Sequence, residues 1–284
     1  MQVLFTPRLG VQIGPLDRFG KSIRENALHP FIFVSRQMTS TSEQQGRFHL
    51  GRTAAIWFRD SFEYRGFWRT AGLFLERLFE FVRELTPARR QLRYGDLQFD
   101  FDHRVDTTWS NVGIKTRIRE LFAGEPYQPI EADQFHDMMQ ALAIDYGKYT
   151  FIDLGSGKGR ALLLASEYPF RRMIGAEIIP ELHRAAEKNI QNYQSGKSEQ
   201  ISLWCGDARD FEFPDEPILL YLFNPFFEPV LQKVLRNLEL SLRARPRGFI
   251  LLYVNPTAEH LVARASFLRK TGGTHQFSVF RNGL

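Results

Sequence analysis

The sequence predicts an α/β protein in which strands and helices alternate along the second half of the chain. Two observations predict this fold class. Short apolar runs typical of buried strands recur from about residue 130 onward, and segments with helical spacing of their apolar residues lie between them. One of the strands also leads through a glycine-rich turn directly into a helix.

Five strands are expected in this half, at 149–154, 172–177, 201–205, 218–223 and 248–254. Helices are expected around and between them, at about 131–146, 160–168, 180–193, 229–242 and 257–264. The strand at 218–223 is almost entirely apolar, which is typical of a parallel strand covered on both faces. Residues 267–270 and 275–280 predict a closing hairpin joined by Gly272 and Gly273.

The first half predicts a different organisation. Residues 1–50 mix short apolar runs with small and polar residues and are expected to form a flexible segment, within which Met38 is an alternative start of the protein. Residues 51–125 are expected to form a helical and irregular extension, with a helical pair up to about residue 90 and loops over 91–129. The chemistry is expected in a domain at 126–284.

The aromatic and basic residues mixed within 53–90 leave two interpretations of the helical pair. In the first, the pair packs on the main domain through its apolar face. In the alternative, the pair contacts a membrane surface or a protein partner.

Composition and charge exclude several classes of protein. The 284 residues are 43% hydrophobic and 24% charged, which excludes wholesale disorder. Cys205 is the only cysteine, so a disulfide framework and a multi-cysteine zinc site are excluded, and no metal is expected. No run approaches the ~20 apolar residues of a membrane span, and the first residues lack a secretory pattern. A cytoplasmic protein is therefore expected.

The net charge of +5 comes entirely from the first part of the chain. Residues 1–130 hold 19 basic and 14 acidic residues, whereas residues 131–284 hold 18 of each. A mild excess of this kind permits contact with an acidic partner but does not demand nucleic acid.

The strongest chemical signal is the glycine-rich run at 153–160, which reads DLGSGKGR. Glycines let the backbone turn sharply and approach a ligand closely, and the helix N-terminus that follows favours a carboxylate or phosphate. A dinucleotide fingerprint needs Gly or Ala where Arg160 stands, and a phosphate-binding P-loop needs a Lys-Ser/Thr ending that is missing after Gly159. Nicotinamide, flavin and P-loop chemistry are therefore disfavoured.

Polar residues also end the next three strands, and the carboxyl ends of parallel strands meet at one edge of a sheet. Glu177 ends the second strand, where a carboxylate can accept hydrogen bonds from both hydroxyls of a ribose. Asp207 follows the third strand, where it can accept from an exocyclic adenine amine. Asn224 and Pro225 end the fourth strand, and the alternative interpretation of these two residues is a plain strand-to-helix turn.

This ordered set resembles the class I S-adenosylmethionine-dependent methyltransferases over about residues 127–284. The resemblance implies a doubly wound, mostly parallel sheet of about seven strands with a final antiparallel strand and helices on both faces. It implies S-adenosyl-L-methionine as the cofactor. It also implies cofactor-binding roles for Asp153, Gly155, Ser156, Gly157, Gly159, Glu177 and Asp207.

The glycine-rich run is also similar in wording to the branch that contains the seven-stranded protein-lysine methyltransferases. In that branch a tyrosine before the core closes over the cofactor, and Tyr127 is the matching candidate. Lys158 and Arg160 are expected to face solvent or a neighbouring carboxylate rather than substrate.

The segment Asn224-Pro225-Phe226 is similar to the Asn/Asp-Pro-Pro-Tyr/Phe motif of enzymes that methylate amino groups, although Phe226 replaces the second proline. The similarity implies that the Asn224 carbonyl and the backbone beside Pro225 accept from an amine while an aromatic ring walls the pocket. The favoured function is methyl transfer to nitrogen on a protein side chain. The alternatives are a nucleic-acid or small-molecule methyltransferase, or a catalytically silent binding protein with the same fold.

Overall fold

The computed structural model describes residues 50–84, 97–108 and 112–283. All of these belong to one compact unit. The flexible segment predicted up to residue 49 and the alternative start at Met38 lie outside the described residues.

Seven strands form one mixed sheet with the order β3-β2-β1-β4-β5-β7-β6. The first five strands run parallel, and β7 lies antiparallel between β5 and β6. This arrangement confirms the predicted fold class. The strands are β1 Thr150–Leu154, β2 Arg172–Glu177, β3 Ile201–Cys205, β4 Ile218–Phe223, β5 Phe249–Val254, β6 Arg269–Gly273 and β7 Phe277–Arg281.

Helices cover both faces of the sheet. Along β4 the side chains of Ile218, Leu220 and Leu222 join one hydrophobic cluster with α8 and α9, whereas Leu219 and Tyr221 join the other with α5 and α6. Full burial of an aliphatic side chain contributes about 1.5–3 kcal/mol, so the uninterrupted apolar sequence of β4 stabilises both layers at once. The helices are α1 Leu50–Arg65, α2 Phe67–Glu84, α3 Leu97–His103, α4 Ile114–Ala123, α5 Ala132–Leu142, α6 Arg160–Ala165, α7 Pro180–Asn192, α8 Glu228–Ala244 and α9 Glu259–Ala263.

Several element boundaries differ from the sequence-based predictions. Helix α5 ends at Leu142 rather than near 146, because Ala143 takes a left-handed φ of 46°. Helix α6 is shorter than predicted and ends at Ala165. The closing hairpin is present, but Gly272 and Gly273 lie within β6 rather than in the turn, which falls at 274–276.

The predicted helical pair is present as α1 and α2, which are separated by Gly66 at a φ of 79°. Helix α1 packs against α2, α4 and α8, so it contacts the main domain. Helix α2 leaves several large apolar side chains exposed, among them Trp68 at 84% and Phe79 at 65%. Contact of this pair with a membrane or partner stays a prediction.

The expectation of loops over 91–129 is wrong where α3 and α4 form. Helix α4 carries apolar residues at helical spacing, Ile114, Ile118, Leu121 and Phe122, which the prediction of loops overlooked, and it also buries Thr116, Arg117 and Glu120. Within the described ranges, no helix has the length and apolar character needed to cross a membrane.

Candidate functional site

A cavity lies at the carboxyl ends of β1, β2 and β4, where the strand order reverses from one side of β1 to the other. Ten of the eleven residues singled out from the sequence line it, and Gly159 does not. The ten are Tyr127, Asp153, Gly155, Ser156, Gly157, Glu177, Asp207, Asn224, Pro225 and Phe226. Gly159 instead caps the N-terminus of α6, and a Cβ there would lie 3.2 Å from the Cβ of Ala186.

The glycine-rich turn between β1 and α6 is held by its backbone. The N–H groups of Gly155 and Ser156 both donate to the carbonyl of Ala176, at 2.8 and 3.0 Å. Gly157 has a φ of 54°, and a Cβ on it would lie 2.2 Å from the ring of Tyr127. Only glycine therefore fits between this turn and the tyrosine ring.

Glu177 is buried at the end of β2, and the turn holds both of its carboxylate oxygens. Oε2 accepts from the N–H of Gly157 at 2.9 Å, and Oε1 accepts from the N–H of Ile179 at 2.7 Å. Burial raises the pKa of Glu177 to about 7, although these backbone N–H groups act in the opposite direction. Each oxygen keeps a lone pair for a further donor, such as a sugar hydroxyl.

Asp153 is buried at the end of β1 beside unsatisfied polar groups. Burial and the nearby Glu177 raise the pKa of Asp153 to about 8. The Oγ of Ser156 and the hydroxyl of Tyr221 are buried without a hydrogen-bond partner, and Tyr221 pairs with Asp153 in the register of β1 and β4. An unsatisfied buried polar group costs about 1–3 kcal/mol, so this set fits a polar ligand that supplies the missing partners.

Asp207 follows β3 and is clamped by Arg209. The backbone N–H of Arg209 donates to Asp207 Oδ1 at 3.0 Å, and its Nε lies 2.9 and 3.0 Å from the two carboxylate oxygens. The Nη2 of Arg209 also donates to Asp207 Oδ2. The carboxylate predicted to accept from adenine is therefore held in a fixed orientation.

Tyr127 lies over the glycine-rich turn and is anchored at its hydroxyl, which donates to the carbonyl of Thr107 at 2.5 Å. Lys158 and Arg160 of the turn are buried and face carboxylates, which was one of the two expectations for them. The Nζ of Lys158 lies 2.8 Å from Asp106 Oδ1, and the Nη1 of Arg160 lies 3.4 Å from Asp100 Oδ1. The segment around α3 thus holds the glycine-rich turn in place through these two ion pairs.

Asn224 and Pro225 end β4 with their acceptor groups already engaged. The Oδ1 of Asn224 accepts from the hydroxyls of Tyr253 at 3.0 Å and Thr257 at 2.8 Å. The carbonyl of Pro225 accepts from the N–H of Glu125 at 3.3 Å. A substrate amine would have to displace these donors, so the catalytic role of the motif stays a prediction.

Helix α1 supplies one wall of the cavity that the sequence analysis did not assign to the site. Trp57 is 5% exposed and packs edge-on against Phe122 and Phe227, with ring centroids 5.9 and 6.1 Å away. Asp60 of the same helix also lines the cavity. The signal in the sequence for this wall is the dense aromatic cluster around Trp57, and the signal for Tyr221, which also lines the cavity, is a polar ring in an otherwise apolar strand.

Two further observations concern metal-ligating side chains and the thiol beside the site. Over the part of the chain that the structure describes, no group of three or more His, Cys, Asp or Glu side chains is placed to hold a metal ion. The thiol of Cys205 at the end of β3 is half-buried, and burial followed by the charge of Glu177 raises its pKa to about 11.

Residues 152–252 match a family model described as a methyltransferase domain. No curated protein sequence matches the chain. Similar solved structures include the YcgJ protein of Bacillus subtilis, with 21% identity over 43% of this chain and 51% of that chain and a TM-score of 0.34. A predicted N6-adenine-specific DNA methylase of Listeria monocytogenes has 14% identity over 56% of this chain and 52% of that chain, with a TM-score of 0.43.

An RNA methyltransferase of Salinibacter ruber, in complex with S-adenosyl-L-homocysteine, has 21% identity over 54% of this chain and 91% of that chain, with a TM-score of 0.37. The chain spans about half the length of the first two structures. The matched residues run from β1 into β5 and include the glycine-rich turn and Glu177. Over residues 152–252 the chain therefore matches a methyltransferase domain, and S-adenosyl-L-methionine is the cofactor that this match supports.

Proposed function

We propose that this protein transfers the methyl group of S-adenosylmethionine to a nitrogen atom of a protein side chain. The observation that carries this choice of acceptor is the charge of the cavity wall. Six carboxyl groups and two guanidinium groups line the cavity, although the chain as a whole has a net charge of +5. The acidic residues are Asp60, Glu120, Glu125, Asp153, Glu177 and Asp207, and the basic ones are Arg160 and Arg209.

Both guanidinium groups are already paired, since Arg160 contacts Asp100 and Arg209 contacts Asp60 and Asp207. Burial leaves Asp153 mostly protonated and Glu177 about half protonated at pH 7, so the excess of negative charge comes from the other four carboxyl groups. Two of these are paired with cations outside the wall, Asp60 with Lys233 and Glu125 with Arg77, so the wall is mildly negative, which favours an amine over the phosphates of nucleic acid. Part of this charge suits the cationic cofactor, whereas Glu125 lies beside the end of β4, where its N–H donates to the carbonyl of Pro225.

The rest of the acceptor side is aromatic. Trp57, Phe122, Phe226 and Phe227 line the cavity there, and the guanidinium of Arg77 lies 4.3 Å over the ring of Phe227. Aromatic faces accommodate the apolar stem of a long side chain, attract its cationic end and exclude water. These properties match a lysine side chain better than a nucleobase carrying phosphates.

Positioning and desolvation supply most of the catalysis in this proposal. When bound, the cofactor supplies a methyl group on a cationic sulfur and leaves as S-adenosylhomocysteine after a bond forms to nitrogen and the carbon–sulfur bond breaks. The chain binds the methionine part with Asp153, Ser156 and the glycine-rich turn. Glu177 holds the ribose and Asp207 the adenine.

Tyr127 covers the cofactor in this proposal, and the aromatic wall excludes water from the acceptor nitrogen. Burial there lowers the pKa of an amine, so the acceptor releases its proton to solvent before it attacks. Asn224 and Pro225 border the position of the attacking nitrogen, and Phe226 walls it.

The role of Asn224 has its own test. Asn224→Ala is expected to spare binding of S-adenosylhomocysteine and to reduce turnover by at least 100-fold, as compared by calorimetry and methyl transfer. Thr257→Val, which removes one donor to the Asn224 amide, is the matched variant and should change turnover only a few-fold. Unchanged turnover in Asn224→Ala would assign the motif to the strand-to-helix turn alone.

The acceptor class is tested with tritiated S-adenosylmethionine and an extract of cells that contain the protein. The label is expected in material that protease removes and nuclease does not, and hydrolysis should release an N-methylated amino acid. Gly157→Ala protein is the negative control. Nuclease-sensitive label, or label only in small molecules, would contradict the proposal, and binding of cofactor without any transfer would indicate a silent binding protein.

A further inference from the structure

Arg209 bridges two carboxylates that lie far apart in the sequence. One edge of its guanidinium and its backbone N–H hold Asp207, as described above. Its remaining nitrogen, Nη1, donates to Asp60 Oδ2 of α1 at 2.9 Å. The side chain of Arg209 is only 17% exposed, so this bridge lies mostly out of water.

Asp60 is 7% exposed and is surrounded by cations. Besides Arg209, the Nζ of Lys233 lies 2.9 Å from its Oδ2, and Arg59 contacts its Oδ1 at 3.1 Å. Lys233 and Arg59 are about half-exposed or more, which weakens their pairs by solvent screening. Arg209 is therefore the partner whose position depends most on Asp60.

The geometry leaves Asp207 able to accept one more hydrogen bond. An ionised carboxylate offers about four lone-pair sites, and Arg209 makes four contacts with them but donates only three protons, because the single Nε proton is shared between both oxygens. Three protons leave one site for a further donor. Asp207 lines the cavity, so the remaining site is available to a donor there. An exocyclic amine carries such a donor, whereas a carboxylate free to rotate would present it poorly.

We propose that Asp60, acting through Arg209, positions Asp207 to accept from the adenine amine, so that helix α1 completes the cofactor site. This inference rests on the adenine-binding role proposed for Asp207. In this scheme Asp60 and Arg209 are positioning residues and touch no reacting atom.

Calorimetry with two ligands tests the inference. The first ligand is S-adenosylhomocysteine, and the second is the analogue in which hydrogen replaces the 6-amino group of adenine. Asp60→Asn is expected to weaken the first ligand about tenfold and the second by less than twofold, because only the first donates to Asp207. Glu63→Gln, at an exposed acidic position of the same helix, is the matched control and should change neither value.

Arg209→Lys provides a second variant that keeps the charge but loses the planar fork, and it is expected to show the same ligand-dependent loss. In an Asp207→Asn background, Asp60→Asn should cause no additional loss. Equal losses for the two ligands would show a merely structural role for α1 and overturn the inference, as would unchanged affinity in both variants. Failure of the wild-type protein to bind S-adenosylhomocysteine would instead refute the proposed cofactor site itself.

Discussion

The two sides of the cavity are built by different means. On the cofactor side, backbone groups at the ends of β1 and β2 position the side chains, since both oxygens of Glu177 accept hydrogen bonds from main-chain N–H groups. On the side proposed for the acceptor, side chains of α1, α4 and the loop after β4 meet through ring contacts, and Arg65 of α1 pairs with Glu228 of α8. The difference is one of degree, because the cofactor side also depends on two long-range contacts, that of Tyr127 with Gly157 and that of Asp60 with Arg209.

A variant of the glycine-rich turn is expected to have the largest effect. Gly157→Ala should weaken S-adenosylhomocysteine binding by at least 100-fold, because the new Cβ would meet the Tyr127 ring at a φ that alanine disfavours. Calorimetry measures this. Gly113→Ala, with a φ of −69° and nothing within 4 Å of the new Cβ, is the control that should bind normally.

A substitution in the aromatic wall should reduce methyl transfer without changing cofactor binding. Trp57→Phe keeps a buried ring and is expected to lower kcat/KM for the labelled acceptor about tenfold, while the Kd of S-adenosylhomocysteine stays unchanged. Trp68→Phe changes a tryptophan that is 84% exposed and should affect neither quantity. Equal losses of cofactor and acceptor binding in Trp57→Phe would contradict the division of the cavity into two sides.

The cofactor side should also respond to pH. Asp153 has a pKa of about 8 in the protein without ligand, so below that pH it must lose a proton before its charge attracts the cationic cofactor. Affinity for S-adenosylmethionine is therefore expected to rise several-fold between pH 6 and 8.5 and then level off. The Asp153→Asn protein should bind S-adenosylmethionine more weakly than the wild type. Its affinity should still increase near pH 7, where Glu177 loses its proton, but should no longer increase near pH 8.

The same carboxyl group should affect stability in the absence of ligand. The pKa of Asp153 is higher in the folded than in the unfolded protein, so its neutral form favours folding most fully below about pH 4, and this advantage is lost as the pH rises through about 8. Asp153→Asn is therefore expected to raise Tm at pH 8.5 by roughly 3–6 °C and much less at pH 5. Asp137→Asn, at an exposed position of α5, is the control, and an equal Tm gain at both pH values would exclude this linkage.

What the sequence could predict follows the same division. The strands β2, β3 and β4 have the predicted limits because their residues carry a clear apolar pattern, and the glycine-rich turn with Glu177 follows from residues that are near one another in the chain. The contact of Asp60 with Arg209 joins residues 149 positions apart, so no local pattern in the sequence indicates it. Helix α4 was missed although Ile114, Ile118, Leu121 and Phe122 recur at helical spacing, because it is only ten residues long and lies among the Gly, Asp and Thr residues of 91–129.

The half-buried thiol of Cys205 has a practical consequence. With a pKa of about 11, very little of it is thiolate at neutral pH, and thiol-directed reagents react with the thiolate. A second cysteine introduced on an exposed helix surface would be alkylated selectively without first replacing the native one. A single fluorophore or spin label could then be attached to the outer helices of the otherwise unaltered protein.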